Sequence, residues 1–209
     1  LSCVGESSAA RWNVGAAAAA GQTLLFLRAG VVLTADGLAK MLEVLRSDET
    51  VAAVGPFSNR TEFAWQYMNA EEMASHGEDA AAWVRRHLTQ PTDSLFLEDF
   101  ALLVRRSAVR AVQGFDEAFT GGGADIDLSF RARLYGFEIR YEPSAGVLHV
   151  GSGTSGSRYN SFKVRLSARN SIYLLYKNMP PALLVLNAVP LLLGFFIKLL
   201  YFWKKGFGR

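Results

Sequence analysis

The sequence predicts an α/β fold, in which a mixed sheet is flanked by helices, followed by a basic and apolar helical tail. Short apolar runs alternate with segments of helical periodicity up to about residue 150, a pattern typical of layered α/β domains. The composition then changes, because no Asp or Glu occurs from Pro143 to Arg209. The 209 residues are enough for one domain with a substantial core.

The first part of the chain predicts two helix–strand pairs. In chain order we expect a helix over Ser8–Ala20, a strand over Thr23–Leu27, a helix from Thr34 to Arg46 and a strand over Val51–Val54. Gly21 at the C′ position ends the first helix, and Thr34 caps the second. The two strands are continuous apolar runs, which indicates burial on both faces, and Gly55-Pro56 stops the second strand.

The second part predicts further strands around two short helices. We expect a helix over Glu71–Leu88, a strand over Phe96–Val104, helices over Ser107–Gln113 and Ile126–Tyr135, and strands over Phe137–Tyr141 and Gly146–Val150. Gly114 and Gly136 end the two short helices. The glycine- and serine-rich segment Gly151–Ser157 predicts a flexible loop.

The C-terminal part is basic and strongly apolar. Nine Lys or Arg residues lie beyond Pro143, which leaves 13 basic and 19 acidic residues in the rest of the chain. Arg158–Asn178 predicts a basic helix, and Ala182–Trp203 is an apolar segment with one charge, Lys198. A basic tail indicates an anionic partner, and the adjacent apolar segment favours a membrane over nucleic acid. The segment reaches the length needed to span a bilayer, but Asn187 and Pro190 leave interfacial helices as the alternative.

Cysteine usage limits the chemistry further. The chain has one cysteine, Cys3, which excludes an internal disulfide and any cysteine-based zinc site within it. A single thiol fits a reducing compartment.

The segment from Gly114 to His149 carries the candidate chemistry. A turn, Gly114-Phe115-Asp116-Glu117, precedes a glycine loop and then Asp125 at a helix start. Free N–H groups and the helix dipole favour an ionised carboxylate there, as a general base requires. The alternative for Asp125 is a simple N-cap. His149 follows at the end of a strand, where it is either a functional or an ordinary structural histidine.

This segment resembles the acceptor-side motif of family 2, GT-A-type glycosyltransferases. The similarity rests on the Gly114–Glu117 turn, the glycine loop and Asp125-Ile126-Asp127-Leu128, and it extends upstream through Asn13-Val14-Gly15 and Leu24–Leu27. The resemblance implies a GT-A fold and an inverting transfer from a nucleotide-diphosphate donor. It also implies that Asp125 deprotonates the acceptor hydroxyl and that His149 lies near the diphosphate.

Two positions depart from the family pattern. After Leu27 the family carries Asp-x-Asp, which holds Mg²⁺ or Mn²⁺, whereas this chain reads Arg28-Ala29-Gly30. A hard cation needs oxygen ligands, so we expect no metal ligand here, and the cofactor remains open. Arg28 instead suits a direct contact with the diphosphate, with a solvated loop arginine as the alternative. The second departure is Ala124, which stands where the family has Glu.

Asp127 has two interpretations of equal weight. It is either a carboxylate that helps to bind the acceptor, directly or from behind the site, or the partner of Arg131 in an i,i+4 pair. The substrate-binding residues expected from the sequence are therefore Asp127, His149 and Arg28, beside the catalytic Asp125.

The sequence as a whole predicts a glycosyltransferase domain over residues 1–157 and a membrane-associating tail over residues 158–209. We expect a lipid-linked or polysaccharide acceptor, an anionic membrane as partner, no nucleic acid, and a location at the cytoplasmic face of the cell membrane. The family's first nucleotide-binding unit would precede Leu1, so we expect a fragment, or a chain whose N-terminal part has diverged or been removed. The alternative is a non-catalytic scaffold or glycan-binding module that has lost the metal site.

Overall fold

The computed structural model of the chain describes residues 7–58, 91–149 and 161–207, and for His149 its backbone. The helices are α1 (Ser8–Ala18), α2 (Ala35–Ser47), α3 (Arg106–Ala111), α4 (Ala124–Leu134), α5 (Ser161–Asn178), α6 (Pro181–Leu186) and α7 (Ala188–Lys204). The strands are β1 (Thr23–Leu27), β2 (Val31–Leu33), β3 (Val51–Ser58), β4 (Thr92–Asp93), β5 (Ala101–Arg105) and β6 (Glu138–His149). The helix expected over Glu71–Leu88 and the loop expected over Gly151–Ser157 lie outside the described residues.

The described strands form one mixed sheet in the order β1-β5-β3-β6-β2, with β4 also paired to β6. Strands β3 and β6 run parallel, and the other pairs are antiparallel. The register of β1 with β5 ends at Leu27 opposite Ala101. That register brings the loop after β1 beside the residues that precede β5.

Helices cover the two faces of the sheet. On one face α1, α3 and α4 enclose a cluster built around the buried side chains of Phe26, Phe115 and Leu128. On the other face α2 packs Met41 and Leu45 against the sheet. A mixed sheet between two helical layers is the α/β architecture that the sequence predicts.

Local chemistry explains where several elements begin and end. The Thr34 Oγ1 atom accepts a hydrogen bond from the Gly37 N–H at 3.0 Å, which confirms Thr34 as the N-cap of α2. Strand β3 continues through Gly55-Pro56 to Ser58, so the predicted stop is wrong. Its pairing with β6 has an irregularity between Pro56 and Phe57, where the register shifts.

Other predicted bounds are also corrected. The two strands expected over residues 137–150 form the single strand β6, and β5 begins at Ala101 rather than Phe96. Helix α1 ends at Ala18 with Ala19 as its C-cap, so Gly21 is not the C′ residue. Helix α4 begins at Ala124 with Gly123 as its N-cap, in the left-handed conformation that glycine adopts freely.

The C-terminal apolar segment is two helices, α6 and α7, that meet at Asn187. The Lys198 Nζ atom on α7 donates to the Ser167 and Ser171 hydroxyls of α5, at 3.2 Å each. Within the described part of the chain, no helix combines the length and apolarity that crossing a membrane requires.

Candidate active site

Three segments bring Arg28, Asp99 and Asp125 together at one end of the β1–β5 pair. The Arg28 backbone N–H donates to the Phe100 carbonyl at 3.0 Å, which places its side chain beside Asp99. The Arg28 Nη2 atom lies 2.5 Å from the Asp99 Oδ1 atom. The Asp99 backbone N–H donates to the Asp125 Oδ2 atom at 3.1 Å, from the first turn of α4. Two acidic side chains and one guanidinium thus form a compact cluster, which we call the carboxyl–arginine cluster.

Burial determines the electrostatics of this cluster. Asp99 is 2% exposed and Asp125 is 4% exposed, whereas the Arg28 side chain is 40% exposed. The Asp125 Oδ1 atom has no hydrogen-bond partner among the described residues, and Asp99 Oδ1 has only its ion pair with Arg28. A buried polar atom without a hydrogen bond is rare in folded proteins, and such atoms are often found at functional sites.

The two carboxyl groups hold protons more tightly than usual. Burial, together with the negative charge of Asp125, raises the pKa of Asp99 to about 8, against the opposing pull of Arg28. Burial also raises the pKa of Asp125, although Arg28 and nearby backbone N–H groups act in the opposite direction. Burial therefore opposes the ionisation of Asp125 that the helix start alone favours. Burial disfavours the charged form of Arg28, but its acidic neighbours raise its pKa overall, so it remains a cation.

The cluster does not suit a divalent cation. Among the described residues, no group of three or more His, Cys, Asp or Glu side chains is arranged to hold a metal ion. The guanidinium of Arg28 already lies against Asp99 and adds its positive charge beside Asp125. A cation bound to these carboxylates would therefore be repelled by the neighbouring guanidinium.

Asp127 lies behind the cluster, in the same turn of α4. Its side chain is fully buried, and its Oδ2 atom accepts from the Arg131 Nε at 2.8 Å. The i,i+4 pair with Arg131 that the sequence predicts is therefore present. Lys177 and Asn178 of α5 also bind this carboxylate, with distances of 3.0 and 2.9 Å. A direct contact between Asp127 and substrate stays a prediction.

Helix α5 also fixes the glycine loop that leads to Asp125. The side chain of Asn170 is buried, and its Nδ2 atom donates to the carbonyls of Thr120 and Gly122 at 2.9 and 2.7 Å. The Leu166 side chain packs so closely on Gly121 that a Cβ there would come within 2.4 Å of it. These contacts cross the domain boundary predicted after residue 157, which itself stays a prediction.

The turn before the glycine loop is held from both sides. Asn13 on α1 accepts from the Phe115 N–H and donates to the Phe115 carbonyl, at 2.8 Å each. Asp116 accepts from Lys177 at 2.6 Å and from the Tyr173 hydroxyl at 3.0 Å. These donors and the Ala118 N–H lower the pKa of Asp116 although burial works in the opposite direction. Two blocks of the family resemblance, Asn13 and the Gly114–Glu117 turn, are thus in direct contact.

The structure describes the side chains of three predicted site residues, Arg28, Asp125 and Asp127, and only the backbone of the fourth, His149. Arg28 and Asp125 belong to the carboxyl–arginine cluster, and Asp127 lies behind it. The backbone of His149 pairs with Val31, three residues beyond Arg28, but its side chain lies outside the described residues. Asp99 was not predicted as a site residue, because an acidic residue in an expected strand is as consistent with a solvated strand edge as with an acceptor cleft. One signal in the sequence could have indicated Asp99. Arg28 stands where the family has metal-binding carboxylates, and an arginine at such a site is often paired with an acidic residue from another segment.

The sequence is similar to curated glycosyltransferases over half of its length. It is 33% identical over 105 residues to the N-acetylglucosaminyl-diphospho-decaprenol L-rhamnosyltransferase of Mycobacterium tuberculosis, in two strains. The aligned part is 50% of this chain and 29% of the relative, so the chain spans less than a third of that protein. No family model matches the chain.

Solved structures show the fold. The chain superposes on GalNAc-T7 bound to UDP, GalNAc and Mn²⁺ with a TM-score of 0.59 and 15% identity, covering 82% of this chain and 34% of the other. It superposes on the mannosyltransferase PcManGT of Pyrobaculum calidifontis, bound to GDP-Man and Mn²⁺, with a TM-score of 0.58 and 14% identity, covering 85% and 46%. The α/β domain therefore has the fold of GT-A glycosyltransferases, and the predicted resemblance to family 2 glycosyltransferases is confirmed.

Proposed function

We propose that the chain acts in sugar transfer from a nucleotide-diphosphate donor to a lipid-linked or cell-surface polysaccharide acceptor. The observation that carries the proposal is the buried carboxyl of Asp125. It occupies the motif position of the base, and one of its oxygens has no hydrogen-bond partner among the described residues. The relative named as a transferase to a diphospho-decaprenol sugar supports a lipid-linked acceptor.

The proposed reaction is an inverting displacement. The acceptor oxygen forms a bond to the anomeric carbon while the bond from that carbon to the donor phosphate breaks, and the electron pair leaves with the diphosphate. Asp125 takes the proton of the acceptor hydroxyl, and its raised pKa suits it to accept that proton near neutral pH. The exposed part of the Arg28 guanidinium binds the leaving diphosphate, since such a fork pairs with phosphate oxygens.

Two further residues complete the proposed site. His149 steadies the diphosphate from β6, where its backbone lies opposite Val31 in the strand that follows the Arg28 loop. Asp127 acts from behind the site, because its carboxylate ties α4 to α5. In this arrangement Asp127 orients the first turn of α4 rather than contacting the acceptor.

We also propose that the tail places the chain on the cytoplasmic face of a membrane. Large apolar side chains on α6 and α7 are exposed, among them Val185 at 78%, Leu192 at 70% and Trp203 at 66%. A contiguous exposed apolar surface of this kind marks an interaction site. The nine basic residues beyond Pro143, with no acidic residue among them, favour an anionic lipid surface, at about 1 kcal/mol for each basic residue close to it.

The transfer activity is tested by donor turnover in native membranes. The full-length protein would be given a panel of nucleotide sugars with lipid-linked acceptors, with and without EDTA, and the release of nucleoside diphosphate would be measured. We expect turnover that persists in EDTA, because Arg28 stands where the family has metal ligands. Turnover that EDTA abolishes would contradict the metal-free diphosphate contact.

The membrane contact is tested separately by flotation with lipid vesicles. We expect the protein to float with vesicles that contain phosphatidylglycerol and to bind pure phosphatidylcholine less tightly. Replacing exposed Leu192 and Phe196 by Asp should release the protein from both kinds of vesicle. The control replaces exposed Leu134 of α4, on the globular domain, by Asp and should leave flotation unchanged. Equal flotation of both variants would contradict the role of the tail.

A non-catalytic glycan-binding module is the second candidate. The near-complete burial of Asp125 and the presence of Ala124 beside it favour this alternative. A folded protein that binds polysaccharide but turns over no donor, with any metal, would establish it.

A further inference from the structure

We infer that Asp99 is a positioning residue for the donor diphosphate: it holds Arg28 beside Asp125 and, when protonated, releases the guanidinium to the diphosphate. The inference rests on the proposed function, because that function makes Arg28 the diphosphate ligand. It adds a residue that neither the motif nor the comparisons assign. It also makes donor binding depend on a proton held inside the protein.

The geometry places Asp99 between the two residues of the proposed mechanism. Its side chain contacts Arg28 at 2.5 Å, and its backbone N–H contacts Asp125 at 3.1 Å. Asp99 is almost completely buried, whereas the Arg28 side chain is 40% exposed. Arg28 can therefore turn towards a ligand, while Asp99 stays in place.

The charges in the cluster are not balanced unless the carboxyl pair keeps a proton. The charged groups that act on Asp99 are Asp125 on α4, Arg28 from the loop after β1, and the adjacent Glu98. Arg28 is the one cation that the described part of the chain places beside Asp99, so two ionised carboxylates would leave a buried negative charge without compensation there. Two interacting buried carboxyl groups respond by sharing one proton. The raised pKa values of both groups agree with this arrangement.

The proton on Asp99 frees both of its neighbours for the reaction. A neutral carboxyl binds a guanidinium more weakly than a carboxylate does, so Arg28 becomes available to the diphosphate. Asp125 then remains the ionised member of the pair and accepts the proton of the acceptor hydroxyl. After transfer the pair carries two protons, and one returns to solvent when the products leave.

The inference predicts how the Asp99→Asn variant responds to pH. Asn has the shape of a protonated Asp, so the variant mimics the state that releases Arg28 and cannot lose the proton. The affinity of the full chain in detergent for inorganic pyrophosphate would be measured by calorimetry from about pH 6 to about pH 9. The ratio of variant to wild-type affinity should be constant below about pH 7 and should rise towards tenfold per pH unit above about pH 8. The protonation of pyrophosphate itself also changes over this pH range. It changes equally in both experiments, so its effect on affinity cancels in the ratio.

A second readout follows Asp99 without any ligand. In protein carrying ¹³C-labelled aspartate, the Asp99 carboxyl signal is identified by its loss in Asp99→Asn. We expect this signal to titrate with a midpoint near 8, the pKa that its surroundings impose. Glu98→Gln is the matched control, since it removes a neighbouring carboxylate that is less buried. Its affinity ratio should vary with pH by less than about threefold.

The outcomes separate this inference from the proposed function. Pyrophosphate binding with a ratio that does not change with pH, or an Asp99 midpoint near the usual value of about 4, would overturn the role of Asp99 alone. No pyrophosphate binding at any pH, with Asp99 still titrating near 8, would overturn the diphosphate contact of Arg28 and the release step with it.

Discussion

Replacing Asn170 by Ala tests whether α5 holds the glycine loop that carries Asp125. The substitution removes two hydrogen bonds from α5, those to the Thr120 and Gly122 carbonyls. Each bond contributes about 0.5–1.5 kcal/mol, so the loop should lose about 2 kcal/mol of local stability. At about 1.4 kcal/mol for each factor of ten, the loop opens about 30 times more often.

Hydrogen exchange at the start of α4 measures this opening directly. The Asp127 N–H donates to the Gly123 carbonyl at 3.0 Å, so its exchange reports on the junction between the loop and the helix. We expect its exchange to accelerate about 30-fold in Asn170→Ala. Transfer should also slow, because a displaced base loses its alignment with the acceptor.

Ser171→Ala is the matched control on the same helix. The Ser171 hydroxyl contacts Lys198 on α7 and the Ser167 carbonyl rather than the glycine loop. The control should leave exchange at Asp127 unchanged even if it loosens the contact between α5 and α7. Unchanged exchange in Asn170→Ala would show that α5 does not fix this loop.

Three further substitutions test packing around the site, each by the free energy of unfolding in denaturant. Lys177→Met should lower the free energy of unfolding by about 1–2 kcal/mol, because fully buried Asp127 loses one of the two cations that the described residues bring to it. Raising the salt concentration of the wild-type protein should not reproduce this loss. Gly146→Ala should lower the free energy of unfolding by about 1–3 kcal/mol, because the new Cβ would lie 2.5 Å from the buried Phe57 ring; a neutral result would contradict that contact. Gly15→Ala should raise it by about 0.5–1 kcal/mol, because at this exposed position of α1 no atom of the described residues lies within 4 Å of a new Cβ; a decrease would contradict this open space.

The layered fold was predictable because its strongest signals are local. The apolar run Thr23–Leu27 coincides with β1, and Thr34 caps α2 as its side chain suggests. The predictions failed where tertiary context overrides local preference. Gly55-Pro56 continues β3, since the strand is buried and paired on both sides, and the short strand β2 forms only because β6 is beside it.

The candidate site was predictable in part. The motif identified Asp125, and its place in the first turn of α4 agrees with a helix start. Its deep burial was not predicted, because the degree of burial of a side chain depends on segments distant in the sequence. Asp99 was missed for the same reason, since only the pairing of β1 with β5 brings it to Arg28.

The transfer rate of the Asp125→Asn variant decides whether Asp125 is the catalytic base. Nucleoside diphosphate release would be measured in membranes with the donor found by the panel, beside Asp93→Asn, whose half-exposed carboxylate pairs with Arg133 away from the cluster. If Asp125 is the base, Asp125→Asn abolishes transfer while it keeps the fold, and Asp93→Asn stays active. Transfer at the wild-type rate by folded Asp125→Asn would remove Asp125 from the mechanism.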